Sequence, residues 1–409
     1  MNFYMLYFLN LIKQAIQKSK DDIQEDHVDW TYLVQLSKEQ DLFPIFVEEA
    51  VKYSSYVERP EYVKEMKEVF EIVNFQVRRT NAFLNLYSKF KKAGVYPLVM
   101  KGLICRELYG KLSDHRPSAD EDILIPLAEY SKAKEILLAN GYQICVEESA
   151  EKQLQDIQEV SFIHPDEKLH IELHINAIGR DNPLNCRMNE CFENVFKNYR
   201  ETTIQGVCVR TMGHTDHLLF LVLHAFKHFV GSGLGIRQFL DILLYYEIYG
   251  SEVDMDQLCK TLKGLKAFSF WSDIIHIGNR YLGFELHAPQ KPKCPEELLE
   301  NVMESGTFGG RTEAERIAAS TMRNVREEEL KSKSNNMVVV LWKAIFPSKA
   351  YMLCHAPYLE EKPWLLPIEW VKRWGRFLKR SQGHDGNLAI DSVKTSRRRM
   401  KMLKKYDLV

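Results

Sequence analysis

The chain has 409 residues, 45% of them apolar and 11% aromatic, with a formal net charge of −1. That length and apolar content suit two or three packed units and exclude a disordered chain. The balanced charge excludes a global polyanion-binding surface, and no run reaches the ~20 apolar residues of a membrane span.

The first twelve residues, Met1 to Ile12, are apolar but lack the positive flank and small-residue cleavage site of a secretory signal, so they read as a buried helix. Helical spacing of apolar residues recurs from Leu33 to Val47 and from Val69 to Phe90. At Ala93-Gly94 the pattern changes. A short strand, Val95 to Met100, ends at Lys101-Gly102 and is followed by a helical stretch from Leu103 to Tyr109. A polar loop from Lys111 to Ser118 leads into a strand over Asp120 to Ile125. A helix from Leu127 to Ala139 then stops at Asn140-Gly141. Three more strands are predicted at Tyr142–Val146, Glu159–His164 and Leu169–Ile175. From Thr215 the pattern returns to helix, broken at Gly231 to Gly235, resumed from Ile236 to Tyr249 and continuing to about Ile345.

Four regions follow from this reading: a helical region over 1–92, a sheet-bearing core over 93–212, a helical domain over 213–345, and a Pro/Trp-rich segment with a basic tail over 346–409. The fold class is α+β, a mixed sheet with helices, flanked by helical regions on both sides. Eight scattered cysteines with no C-x-x-C pair exclude a zinc ribbon or finger and fit reduced thiols in a cytoplasmic protein.

The chemistry concentrates in three acids. Residues two apart on a strand share a face, so Asp120 and Asp122 project together while Glu121 points away. Adjacent carboxylates repel unless a cation separates them, and a hard divalent ion such as Mg²⁺ suits them. Glu172, in the middle of His170-Ile171-Glu172-Leu173-His174, is the candidate third carboxylate for a two-metal phosphoryl- or nucleotidyl-transfer site.

These residues resemble a known family. Met100-Lys101-Gly102, Arg116 through Asp120-Glu121-Asp122 to Ile125, and Ile171-Glu172-Leu173-His174 are similar to the uncharacterised nucleotidyltransferase family of the DNA polymerase β-like superfamily. The resemblance implies a polymerase β-like fold that transfers a nucleoside monophosphate from an NTP, expected to be ATP, to an unidentified acceptor, with two Mg²⁺ ions or Mn²⁺ in their place. Asp120, Asp122 and Glu172 would hold the metals. Lys101, the Gly102 backbone with the start of its helix, and Arg116 would face phosphate oxygens. His174, His224, His228, Arg237 and Asp241 match positions expected to contact substrate or support the ligands. Two departures stand out: Leu103 follows Gly102 where the superfamily has a small residue, and Glu121 replaces an aliphatic residue, so it either reaches solvent or adds charge near the site.

Other readings compete at some of these positions. His170, Glu172 and His174 could form part of a zinc site. His217, His224 and His228 share one helix face and could be core histidines, and Arg237 and Asp241 could form an intrahelical pair. Trp370, Val371, Trp374, Phe377 and Leu378 mark a basic amphipathic helix that docks on the protein or on a membrane surface through residues 364–380. No sequence-specific nucleic-acid partner is expected. Two alternatives to nucleotidyl transfer are a catalytically idle binding or assembly module and a phosphotransferase using the same carboxylates.

Overall fold

The computed structural model describes residues 3–18, 28–145, 158–180, 183–231, 233–305, 346, 352, 356–359, 362–372 and 401–408. The chain forms two compact units, one of residues 1–226 with 235–303 and one of residues 227–234 with 304–409.

The first unit opens with helices α1 (Phe3–Gln17), α2 (Trp30–Glu39), α3 (Phe43–Ala50), α4 (Ser54–Val57) and α5 (Tyr62–Lys92). Asp29 caps α2 by accepting the Tyr32 N–H at 2.9 Å. Aromatic side chains bind these helices together: the Trp30 and Tyr56 rings meet edge-on at 5.2 Å, and Phe8 stacks on Phe46 at 6.1 Å. The last turns of α5 bury Phe83, Tyr87 and Phe90 against the sheet, so this long helix forms one wall of the sheet's core.

The sheet contains β1 (Leu98–Val99), β2 (Glu121–Leu124), β3 (Gln143–Ile144), β4 (Glu159–Ile163), β5 (His170–His174), β6 (Tyr199–Ile204) and β7 (Val207–Met212). Helices α6 (Leu103–Glu107), α7 (Tyr130–Ala139) and α8 (Pro183–Glu190) connect them. The strand order is β3-β4-β5-β2-β1-β7-β6, with parallel pairing at β5-β2 and β1-β7 and antiparallel pairing elsewhere. This is the mixed sheet of an α+β fold, as expected from the sequence. Val160, Phe162, Ile171 and Leu173 point into the core beside Ile123. Alternation then commits Asp122, Glu172 and His174 to the opposite face.

The five predicted strands are present but shorter. The β6–β7 hairpin was missed by the sequence reading. Its turn, Gln205-Gly206, places both residues at positive φ, 46° and 81°, as a two-residue hairpin turn requires. Helices α9 (His214–Gly231, of which residues to Phe226 belong to this unit), α10 (Ile236–Tyr249), α11 (Met255–Gly264), α12 (Phe268–Tyr281) and α13 (Pro295–Ser305) follow. Gly278 of α12 lets that helix approach α10, since a methyl there would come within 2.5 Å of Leu243.

The second unit has a small core of its own, in which Leu365, Leu366 and Trp370 pack on Met352, Ala356 and Leu359. Residues 366–372 are helical, with Ile368 and Val371 exposed, as is Trp364 just before them. The helix is present four residues before the Trp370 at which it was expected, and Arg373, Trp374, Arg376, Phe377, Leu378, Lys379, Arg380 and the Arg397-Arg398-Arg399 run lie outside the described residues. Among the described residues no helix is long and apolar enough to cross a membrane.

A buried ion pair sits at the start of β2, the central strand of the sheet. Glu121 is fully buried, accepts from Arg106 Nη2 at 2.5 Å and from the Leu103 N–H at 2.7 Å, and so caps α6 from below. It neither reaches solvent nor adds unbalanced charge, because Arg106 neutralises it. Gly102 is required by this arrangement: its φ is +54°, and a methyl there would lie 2.0 Å from Glu121 Oε2. Replacing Glu121 by Gln leaves Arg106 buried without its counter-charge, and we expect a loss of about 3–5 kcal/mol in urea unfolding. The Glu121→Leu/Arg106→Met double variant should lose less than the sum of its single changes.

Candidate active site

The site is assembled by strand register. Parallel pairing sets Asp122 opposite Glu172 and Leu124 opposite His174, and on the far side of β5 the antiparallel neighbour β4 sets Glu159 opposite His174. His174 Nε2 lies 3.0 Å from Asp122 Oδ1 and 3.5 Å from Glu172 Oε2, and its Nδ1 lies 3.5 Å from Glu159 Oε2. Asp122, Glu172 and His174 each present a ligand atom within 4.8 Å of the other two, a spacing that could hold a metal ion.

Lys101 enters from the turn after β1. The Met100 N–H donates to the Asp122 carbonyl at 2.9 Å, which fixes that turn against β2. Lys101 Nζ then lies 3.1 Å from Asp122 Oδ1 and 3.2 Å from His224 Nε2. Asp122 is buried, and its Oδ1 serves both Lys101 and His174, whereas its Oδ2 is buried with no hydrogen-bond partner among the described residues.

The charges explain one another. Burial alone would raise the Asp122 pKa, yet Lys101 and His174 outweigh it and hold the carboxyl well below the usual range. Burial likewise opposes charge on Lys101, but Asp122, Asp120 and Glu172 together push its pKa up. His174 is pushed up to about 10, because its contacts with Asp122, Glu172 and Glu159 overcome burial. Asp120 and Glu172 move the other way for carboxylates: burial raises both, and the Asp122 charge adds to it.

The remaining predicted residues divide. Asp120 is half-buried immediately before β2 and falls outside the group of three ligand atoms, although its charge is felt by Lys101. Arg116 was expected to face phosphate, but its fork closes on Asp241 at 2.7 and 2.5 Å, and Tyr109 donates to the same carboxylate at 2.9 Å. Asp241 is buried on α10, and both its oxygens are taken by groups from the segment before β2, Oδ1 by Arg116 and Tyr109 and Oδ2 by Arg116. Arg237 is therefore not the partner of Asp241. It donates to the Pro117 carbonyl at 2.5 Å and lies 3.6 Å from Asp41. The start of α6 was expected to meet phosphate, but the Leu103 N–H is taken by Glu121 and the Ile104 N–H by the Lys101 carbonyl. His224 reaches the site through Lys101. His228, one turn further along α9, belongs to the second unit. His217 is a core residue: its Nε2 lies 2.7 Å from the Met100 carbonyl and its Nδ1 3.2 Å from Thr211 Oγ1.

Two supports were missed in the sequence. Glu159 opens a predicted strand, and its alternation with Ser161 was the available signal. Arg79, buried on α5, donates to the Ser118 and Ala119 carbonyls and pins the peptide that leads into Asp120. Nothing local to Arg79 in the sequence marks it.

With the geometry in view, comparison with known proteins gives one result. Residues 26–283 match the family described as uncharacterised nucleotidyltransferase, and the chain belongs to that family. No curated protein and no solved structure matches the chain significantly.

His217 gives this unit a defined pH response. Burial drives its pKa from an ordinary 6.5 down to about 3, so the folded protein keeps it neutral. Below about 6.5 the unfolded chain binds a proton that the folded one does not, so its effect is absent at higher pH and stability falls as the solution is acidified, by up to about 1.4 kcal/mol per pH unit. Unfolding free energies measured from pH 7 to pH 4.5 should fall less steeply for His217→Gln than for the wild type.

Proposed function

We propose that this protein transfers a nucleoside monophosphate from an NTP, with ATP as the expected donor, to an acceptor hydroxyl or comparable nucleophile, in a metal-dependent reaction. The observation that carries this reading is the convergence of Asp122 and Glu172 beside Lys101, in a chain of nucleotidyltransferase family. The donor set fits a divalent ion: two carboxylates converge, and the unpartnered Asp122 Oδ2 is a ready ligand. Asp122 and Glu172 would hold the ion, with Asp120 completing the acids at the mouth. A bound Mg²⁺ or Mn²⁺ supplies positive charge to the phosphate oxygens and lowers the barrier to in-line displacement.

The chain's own groups do the rest. Lys101, firmly protonated, neutralises phosphate oxygens as a point charge, while His224 accepts one of its N–H bonds and aims it. Glu172 has a raised proton affinity, which suits it to take the acceptor's proton as the acceptor oxygen bonds to the α-phosphorus and pyrophosphate departs. Arg237, close enough to Asp120 for their charges to interact, is better placed than Arg116 to meet an anion entering from that side.

One observation favours a second reading, an idle binding module: the α6 amide that would meet phosphate is already bound to Glu121. Parallel incubations with α-³²P- and γ-³²P-labelled ATP, divalent metal and cell extract separate the readings. We expect α label on an acceptor, reduced about 100-fold or more in Asp122→Asn. Label from the γ position alone would indicate a phosphotransferase, and no transfer together with no nucleotide binding would leave the idle module.

A further inference from the structure

His174 is built as a ligand. Atoms bound about 2.1 Å from one octahedral ion stand about 3.0 Å apart along each edge of the coordination shell. The 3.0 Å contact of His174 Nε2 with Asp122 Oδ1 is a hydrogen bond, and Glu172 Oε2 lies 3.5 Å away, so an ion bound here would displace the Nε2 proton and take this nitrogen as a third ligand beside the two carboxylates.

Behind the ring, Glu159 Oε2 lies 3.5 Å from Nδ1, an ion-pair contact that a small shift of the Glu159 side chain would close to a hydrogen bond. A carboxylate on the distal nitrogen is the usual support of a metal-bound imidazole, since it fixes the ring and leaves the other nitrogen to the ion. The support is structural rather than accidental, because Glu159 and His174 are direct partners in the β4–β5 ladder. Asp122 adds the third sign. Lys101 and His174 both lie against its Oδ1, and the buried Oδ2 has no hydrogen-bond partner among the described residues.

We propose that His174 is a direct metal ligand, and that the Asp122–Glu172–His174 centre therefore selects a first-row transition ion of the Mn²⁺ type over Mg²⁺. Mg²⁺ takes oxygen ligands and gives up water reluctantly, whereas transition ions accept imidazole beside carboxylates. The inference rests on the metal-site part of the proposed function and not on the transfer chemistry. Binding is measured without nucleotide, so failure of nucleotidyl transfer leaves it intact.

The test is titration of the full chain with Mn²⁺, read by electron paramagnetic resonance and by spin-echo modulation from ligand ¹⁴N. The wild type should bind Mn²⁺ with ¹⁴N modulation, and Mg²⁺ should displace it only at about 100-fold excess or more. Glu159→Gln should keep the modulation while weakening binding about 10- to 100-fold. His174→Gln should lose the modulation. If it also loses the ion, His174→Asp, which restores an oxygen ligand, should rebind Mn²⁺ without modulation and yield it to less Mg²⁺. Four results would overturn the proposal: no Mn²⁺ bound by the wild type, Mn²⁺ bound without ¹⁴N modulation, modulation that survives His174→Gln, or failure of His174→Asp to rebind.

Discussion

The parallel pairing of β2 with β5, in the register that sets Asp122 opposite Glu172, is the constraint on which the rest of the site depends. Side chains alternate along both strands, so a slip of one residue would carry Glu172 into the core and bring Ile171 or Leu173 to the functional face. The core fixes the register from behind, because Ile123, Ile171 and Leu173 are all fully buried. From that one alignment follow the approach of His174 to Asp122, the support of Glu159 from β4, and the place where the turn after β1 delivers Lys101.

The acids gathered by this register must be balanced, and the structure does so in layers. On the functional face Lys101 and His174 share one oxygen of Asp122. Below it, Arg106 neutralises Glu121, and Arg79 holds the carbonyls that precede Asp120. To one side Arg116 and Asp241 close a buried bidentate pair that ties the loop before β2 to α10. Pairs of this kind add little net stability over apolar replacements, but breaking one is costly, so they fix geometry more than they raise stability. Asp122 Oδ2, without a hydrogen-bond partner among the described residues, is the point where a cation could be held.

Much of the site was legible in the sequence because its pattern is local. Asp120-x-Asp122 and Glu172-x-His174 are two-residue alternations that declare a shared strand face, and Lys101-Gly102 closes the preceding strand. The unreadable parts are choices between partners far apart in the chain. Arg116 could meet a phosphate or a buried acid, and only the packing of α10 onto the loop before β2 decides for Asp241. Glu121 was left between reaching solvent and adding charge near the site, because its partner Arg106 is marked by nothing in the strand itself. Strand lengths were overread for a simpler reason: Tyr96-Pro97 precedes β1, and a proline has no N–H to give to a ladder, so pairing begins only at Leu98. The β6–β7 hairpin was readable from its Gln205-Gly206 turn, but polar residues at Arg200, Glu201, Thr202 and Thr203 hid its alternation.

The central claim is that Asp122 and Glu172 hold a divalent ion that in turn meets the nucleotide's phosphates. A crystal of the full chain grown with Mn²⁺ and a non-hydrolysable ATP analogue tests it most directly, by anomalous scattering at the manganese edge. An anomalous peak within bonding distance of both carboxylates, with the α-phosphate against the same ion, is the predicted result. A bound nucleotide with no ion at these residues, or an ion bound elsewhere with Asp122 still closed on Lys101 and His174, would contradict it.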